Sequence, residues 1–150
     1  MTENLCIGWL EWFSLPVLGI PAIEAKVDTG ARTSSLHAFA LDTFTEEGIL
    51  KVRFGVHPLR KRKDLEIYCI ADVMDQRNVM DSGGHSEKRY VISTLLQLGT
   101  FKWVAEITLT NRETMAYRML LGRTAMRTMG LLVNPSVTYI MGKSPTEIYS

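Results

Sequence analysis

The chain has 150 residues, enough for one domain over residues 1–150 and too few for two full lobes of ~100 residues each. With 46% hydrophobic and 22% charged residues it can bury a core, and a formal net charge of +1 excludes a disordered acidic tail and a nucleic-acid polycation. Residues 1–75 hold eight basic and eleven acidic side chains and residues 76–150 nine and five, so any attraction for anions must be local.

Short runs rich in Val, Ile, Thr and aromatic residues recur between turn signals, which predicts an all-β protein. In chain order, strands are expected near Cys6–Ser14, Ile23–Asp28, Leu36–Phe44, Leu50–His57, Leu65–Val73, Arg89–Thr94, Lys102–Thr108 and Tyr117–Leu121. A late pair is expected near Leu131–Val133 and Thr138–Met141. Residues 51–56 alternate cleanly, as a strand with one wet face does, whereas Leu36–Phe44 alternates only roughly. Ser82-Gly83-Gly84-His85 reads as a hairpin tip, and Arg60-Lys61-Arg62-Lys63 as a solvated loop. The one helical stretch, Arg123–Met129, follows Leu120-Leu121-Gly122 and stops at Gly130, a natural left-handed terminator.

Cys6 and Cys69 form neither a disulfide framework nor a Cys-x-x-Cys pair, so reduced thiols are expected. Glu11 interrupts the first apolar patch, no basic segment precedes it, and no run approaches the ~20 apolar residues that cross a bilayer; a cytoplasmic protein away from membranes is expected. Trp9, Trp12 and Trp103 read as core or dimer contacts. Met74, Met80, Met115, Met119, Met126 and Met129 read as adaptable packing. No basic motif interleaved with aromatics points to nucleic acid.

The sharpest local feature is Ala25-Lys26-Val27-Asp28-Thr29-Gly30-Ala31-Arg32-Thr33-Ser34-Ser35-Leu36, an acid leaving an apolar strand into a turn. Gly30 permits close backbone approach, and the Thr and Ser hydroxyls can bond nearby main chain, so the Asp28 carboxylate is held in place. Asp-Thr-Gly, a later Gly-tipped hairpin, and Leu120-Leu121-Gly122 entering a short helix together resemble the retropepsin-like aspartic proteases. Val27–Ala31 resembles their catalytic loop, Ser82-Gly83-Gly84 their flap tip, and Met119–Arg123 the strand and helix start behind that loop.

A narrower resemblance rests on Ile7-Gly8-Trp9, on Lys26 through Ala38, and on Ser82–His85 with Arg89-Tyr90-Val91-Ile92. Ile107 through Arg112 and Met119 through Met126 extend it. These blocks are similar to the bacterial retropepsin-like family often labelled "ATP-dependent zinc protease" and associated with ATP-grasp ligases that add glutamates to a ribosomal protein. The resemblance implies a closed β-barrel with a flap hairpin and one short C-terminal helix. It implies an aspartic endopeptidase with Asp28, Thr29 and Gly30 as catalytic loop and Ala31, Arg32, Ser82, Gly83, Gly84 and Arg123 around the substrate.

Hydrolysis by carboxyls needs two of them, one ionised to take a proton from water and one protonated to donate to the carbonyl oxygen. With one Asp-Thr-Gly per chain, a C₂ homodimer with one Asp28 from each subunit is expected. A rival second acid within the chain is Asp81, of Asp81-Ser82-Gly83, but Gly83-Gly84 suits a flap better. Viral retropepsins commonly place an acidic residue after Asp-Thr-Gly-Ala, pairing it with the Arg that follows the later Gly. Here Arg32 occupies that place while Arg123 remains, which favours a glutamate-rich peptide or protein substrate, or an internal partner such as Glu24 or Glu113.

Two alternatives belong to other classes. A zinc peptidase would draw on His37, His57, His85, Cys6 and Cys69, whose spacing matches no local zinc motif; neither metal nor any other cofactor is expected. A non-catalytic binding module would keep Asp28 for structure and grip an acidic partner through Arg60–Lys63 or Arg32.

Overall fold

The structure, a computed structural model, describes residues 5–80, 83–111, 116–142 and 146–149. The strands are β1 (Cys6–Gly8), β2 (Leu10–Leu15), β3 (Ile20–Val27), β4 (Ser34–His37), β5 (Ala40–Glu46), β6 (Ile49–Val56), β7 (Ile67–Asp72), β8 (Asp75–Met80), β9 (Ser86–Leu98), β10 (Phe101–Thr110), β11 (Met119–Leu121) and β12 (Leu132–Asn134). Between β11 and β12 lies the helix α1 (Arg123–Met129), and short 3-10 turns occupy Pro16–Leu18 and Thr146–Tyr149.

Six strands close on themselves in the order β10-β4-β11-β3-β2-β9, with β9 returning to β10 over Phe101↔Leu98 to Thr108↔Val91. Closure removes free edges from this barrel. Outside it, β5-β6-β7 form an antiparallel sheet, β1 and β12 pair in parallel, and β8 extends β9 as a hairpin arm from Asp75↔Val91 to Met80↔Ser86. The barrel interior holds Phe13, Ile20, Ile23, Leu36, Ile92, Leu96, Ile107 and Met119, all without solvent exposure or nearly so. Burying each such side chain stabilises by about 1.5–3 kcal/mol.

The all-β barrel, flap hairpin and single α-helix agree with the sequence, and the differences have physical causes. The run expected over Leu36–Phe44 is two strands, because the chain leaves the barrel at Ala38, whose N–H donates to Thr110 O at 2.8 Å. It enters the second sheet at Phe39, whose N–H donates to Gly55 O at 3.0 Å. Thr138–Met141 forms no strand. Instead the fully buried Glu11 carboxylate accepts the N–H groups of Gly8 (2.7 Å), Ile140 (3.0 Å) and Met141 (3.0 Å), and Tyr139 turns left-handed at φ 55°. With the Ile140 and Met141 amides both held by this side chain, the segment has no free donors there for a ladder. Strand β12 accordingly pairs with β1 rather than with 138–141.

Trp103 packs into the core at 6.4 Å from the Phe13 ring, while Trp9 meets Tyr117 edge-on at 6.4 Å. Met119 and Met126 are core residues, but Met74 and Met80 are exposed and do not serve as packing. Met115 lies outside the described residues.

Candidate active site

The loop from Asp28 to Thr33 joins β3 to β4, yet those strands do not pair. Strand β11 lies between them, parallel to β3 over Met119↔Ala25 to Leu121↔Val27 and antiparallel to β4 over Met119↔Leu36 and Leu120↔Ser35. The loop is therefore stretched across the end of β11 and secured from both sides. The Asp28 N–H donates to Leu121 O at 2.9 Å, and the preceding Val27 N–H to Trp9 O at 2.8 Å.

The start of α1 completes the bracing. Gly122, its N-cap, has no side chain to satisfy the first helical amides, and the loop supplies the acceptors instead. Arg123 N–H donates to Ala31 O at 2.8 Å and Thr124 N–H to Arg32 O at 3.1 Å, while the Arg123 guanidinium donates to Gly30 O at 3.1 Å. A Cβ on Gly122 would stand 2.5 Å from the Thr33 carbonyl carbon, so glycine is required by the approach of the loop backbone.

The Asp28 carboxylate is half-buried. Its Oδ1 accepts the Gly30 N–H at 3.0 Å, and among the described residues no other side chain or amide bonds to the carboxylate. Thr29 and Gly30 are exposed, so the acid stands at a surface with one oxygen open. This loop carbonyl-and-amide bracing fixes direction without neutralising charge, the arrangement a reacting carboxylate needs.

Beside the loop lies a cleft of ≈ 520 Å³ between Ala31, Arg32, Thr33 and Ser35 on one side and Arg77, Asn78, Val79 and Arg89 of the hairpin arms on the other, with Thr108, Thr110 and Leu120 as floor. Arg77 is engaged by Asp75 (3.0 Å) and Glu106 (2.9 Å) and Arg89 by Glu87 (3.2 Å). Arg32 is exposed and makes no ion pair among the described residues. The suggested partner Glu24 is taken by Arg60 at 3.5 Å and by the Tyr139 hydroxyl, which corrects that expectation; Glu113 lies outside the described residues.

The structure thus brings Asp28, Thr29, Gly30, Ala31 and Arg32 into one loop, with Arg123 bracing it from behind rather than facing the cleft. Gly83 and Gly84 sit in the connection of the β8–β9 hairpin, Gly84 at φ 82°, and do not line the cleft; Asp81 and Ser82 lie outside the described residues. Sequence reasoning missed the hairpin arms as cleft walls, because Asp75–Asn78 carries no apolar period that would mark a strand.

The donors on which a zinc peptidase would draw do not form a ligand set among the described residues. His57 stacks on Phe39 at 4.1 Å with its Nδ1 3.2 Å from Leu65 O, and the buried Cys69 thiol donates to Leu18 O at 3.3 Å. Among the described residues no three His, Cys, Asp or Glu side chains converge. No described helix is long and apolar enough to cross a membrane.

The family model described as RimB-like, retropepsin-like aspartic endopeptidase RimB, matches residues 6–144. The chain belongs to this RimB-like family. Relatives named probable alpha-L-glutamate ligase are 48% identical over 95% of this chain in Shewanella pealeana and 46% identical over 94% of it in Desulfotalea psychrophila. The match covers 31% and 30% of those proteins, so the chain spans about three-tenths of the length of these relatives. A crystal structure of a Legionella pneumophila protein of unknown function superposes with a TM-score of 0.78 at 28% identity, covering 93% of this chain and 99% of that one.

Proposed function

We propose that this RimB-like chain is an aspartic-type endopeptidase that works as a homodimer, each subunit contributing Asp28 to a shared pair of carboxyls. The observation that carries this reading is the braced, half-buried Asp28 carboxylate with one oxygen open at a surface, beside exposed Thr29 and Gly30. One acid per chain cannot supply both the proton acceptor and the proton donor that peptide hydrolysis requires, and two-fold symmetry supplies both with one proton shared between them. The ionised member would activate water, the protonated member would donate to the peptide carbonyl, and the β8–β9 hairpin would cover the substrate and hold it by strand-like hydrogen bonds.

The substrate we propose is a glutamate-rich protein segment. Arg32 faces the cleft without a carboxylate of its own, and relatives that contain this domain are named glutamate ligases, which supports a glutamate-bearing substrate. The test is hydrolysis of a glutamate-rich peptide by the purified chain, together with sedimentation of the same sample. Activity that vanishes in Asp28→Asn, and in dimers carrying one Asp28→Asn subunit, is expected. A monomer that cleaves the peptide, or a dimer whose activity survives Asp28→Asn, overturns the proposal.

A further inference from the structure

A second cavity, of ≈ 400 Å³, opens around the start of β11 and shares no lining residue with the cleft. Glu24 in its wall lies four residues before Asp28 on β3, about 13 Å along the strand. One wall is apolar, made by Trp12, Pro58 and Leu59. The charged groups around it are Arg60, Lys61, Arg62, Arg118 and Glu24, with the Tyr139 hydroxyl.

These charges do not balance. Arg62 is matched by Asp64 at 2.8 Å, and Arg60 by Glu24 at 3.5 Å, whose other oxygen accepts the Tyr139 hydroxyl. Lys61 and Arg118 have no carboxylate partner among the described residues. Arg118 is the telling one, for only 8% of it is exposed. Its Nη1 donates to His37 Nδ1 at 3.5 Å, while its Nε is buried with no hydrogen-bond partner, as is Trp12 Nε1. Burial and the neighbouring Arg60 charge both lower its pKa from the ordinary value. A guanidinium does not shed its proton at neutral pH, and a buried cation with an idle N–H is costly unless something pairs with it.

We propose that this cavity is a phosphate site, taking the group either free or as the monoester of a small ring-bearing molecule. Two cations without a carboxylate match a dianionic oxyanion, and the Arg118 guanidinium in the cavity wall can pair with one of its oxygens while Lys61 takes another. Single carboxylates of an acidic peptide would satisfy the cations one at a time and leave the Trp12–Leu59 wall uncovered, whereas a ring attached to the phosphate would lie against it.

The experiment is a titration of the full chain with inorganic phosphate and with phenyl phosphate, followed by tryptophan fluorescence and calorimetry. Saturable binding is expected, weakened roughly tenfold or more by Arg118→Gln and by Lys61→Gln, the second an exposed position that leaves the fold intact. Equal affinity for the two probes assigns the site to free phosphate, and tighter phenyl phosphate assigns it to an organic monoester. The proposal is overturned if neither probe saturates, or if affinity is unchanged in every variant that folds. Hexaglutamate binding that Lys61→Gln weakens, with no phosphate binding, overturns it in favour of an acidic peptide. Asp28→Asn is expected to bind phosphate normally, so this proposal and the peptidase proposal fail separately.

Discussion

The Gly122 amide donates to Ser34 Oγ at 2.9 Å, a bond between residues 88 apart in sequence that ties the start of α1 to the far end of the Asp28 loop. Both groups are buried, and Ser34 O in turn accepts the Thr108 hydroxyl at 3.3 Å. The loop is thereby fixed to the barrel wall as well as by its own turn bonds, Gly30 N–H to Asp28 Oδ1 and Ala31 N–H to Asp28 O. Ser34→Ala leaves a buried N–H without an acceptor and is expected to cost about 1–3 kcal/mol. Gly122→Ala is expected to cost a similar amount by driving its methyl into the Thr33 backbone, and to displace the loop as well. Thermal melts read the stability of both. Hydrolysis reads the displacement, and Gly122→Ala with normal activity would show that the contact does not position Asp28.

Asp28→Asn is expected to lower peptide hydrolysis at least about 100-fold while leaving the melting temperature nearly unchanged, because the side chain makes one hydrogen bond, to an exposed amide. In the active protein, kcat/KM against pH should be bell-shaped, with two apparent pKa values belonging to the pair rather than to either subunit. A single sigmoid would remove the shared-proton mechanism.

Arg32→Glu places a carboxylate where the cleft now offers an unpaired cation. Cleavage of acidic peptides is expected to fall by about tenfold or more, chiefly through KM, with neutral peptides little affected. Equal loss on both peptide classes would assign Arg32 a structural role.

Glu11→Ala removes the acceptor of three backbone amides at once and is expected to destabilise by more than about 3 kcal/mol, read as a lower urea midpoint. Glu11→Gln keeps one carbonyl oxygen and should lose less. A neutral outcome for Glu11→Ala would mean that residues 138–141 rearrange to satisfy themselves.

Alkaline pH is expected to destabilise the fold in two steps. Burial pushes the Cys69 thiol up from 9.0 to about 11, and burial together with Glu24 pushes the Tyr139 phenol up from 10.0 to about 12. Above the ordinary value of each group the unfolded chain holds fewer protons than the folded one, so stability is lost as pH rises; well below pH 9 both are protonated in either state and add no slope. Cys69→Ala should flatten the urea midpoint between pH 9 and 10 and make its fall between pH 10 and 11 shallower, while leaving the Tyr139 decline. An unchanged slope in that variant assigns the loss to other groups.

How much of this was legible before folding varies by element. Arg123–Met129 was legible because a glycine stands at each end of it and the helix ends where Gly130 turns left-handed at φ 61°. Strand β6 was legible through its alternation. Strand β8 was legible only as the arm that a hairpin tip at 82–85 requires, without bounds, since Asp75–Met80 is mostly exposed and only the ladder to β9 defines it. Thr138–Met141 misled in the opposite direction: its residues favour strands, but Glu11, more than 120 residues earlier, claims two of its amides.

Short-range order along the chain determined the all-β class, the Asp28 turn and the helix behind it, because apolar period, glycine placement and hydroxyl spacing act over a few residues. The walls of the cleft, the role of Arg123 as a brace, the pairing of Glu24 with Arg60 and the unpaired buried Arg118 were decided only in three dimensions. Each depends on which strand closes the barrel against which, and hydrogen bonds and ion pairs formed across 36 to 130 residues leave no local mark on the residues that make them.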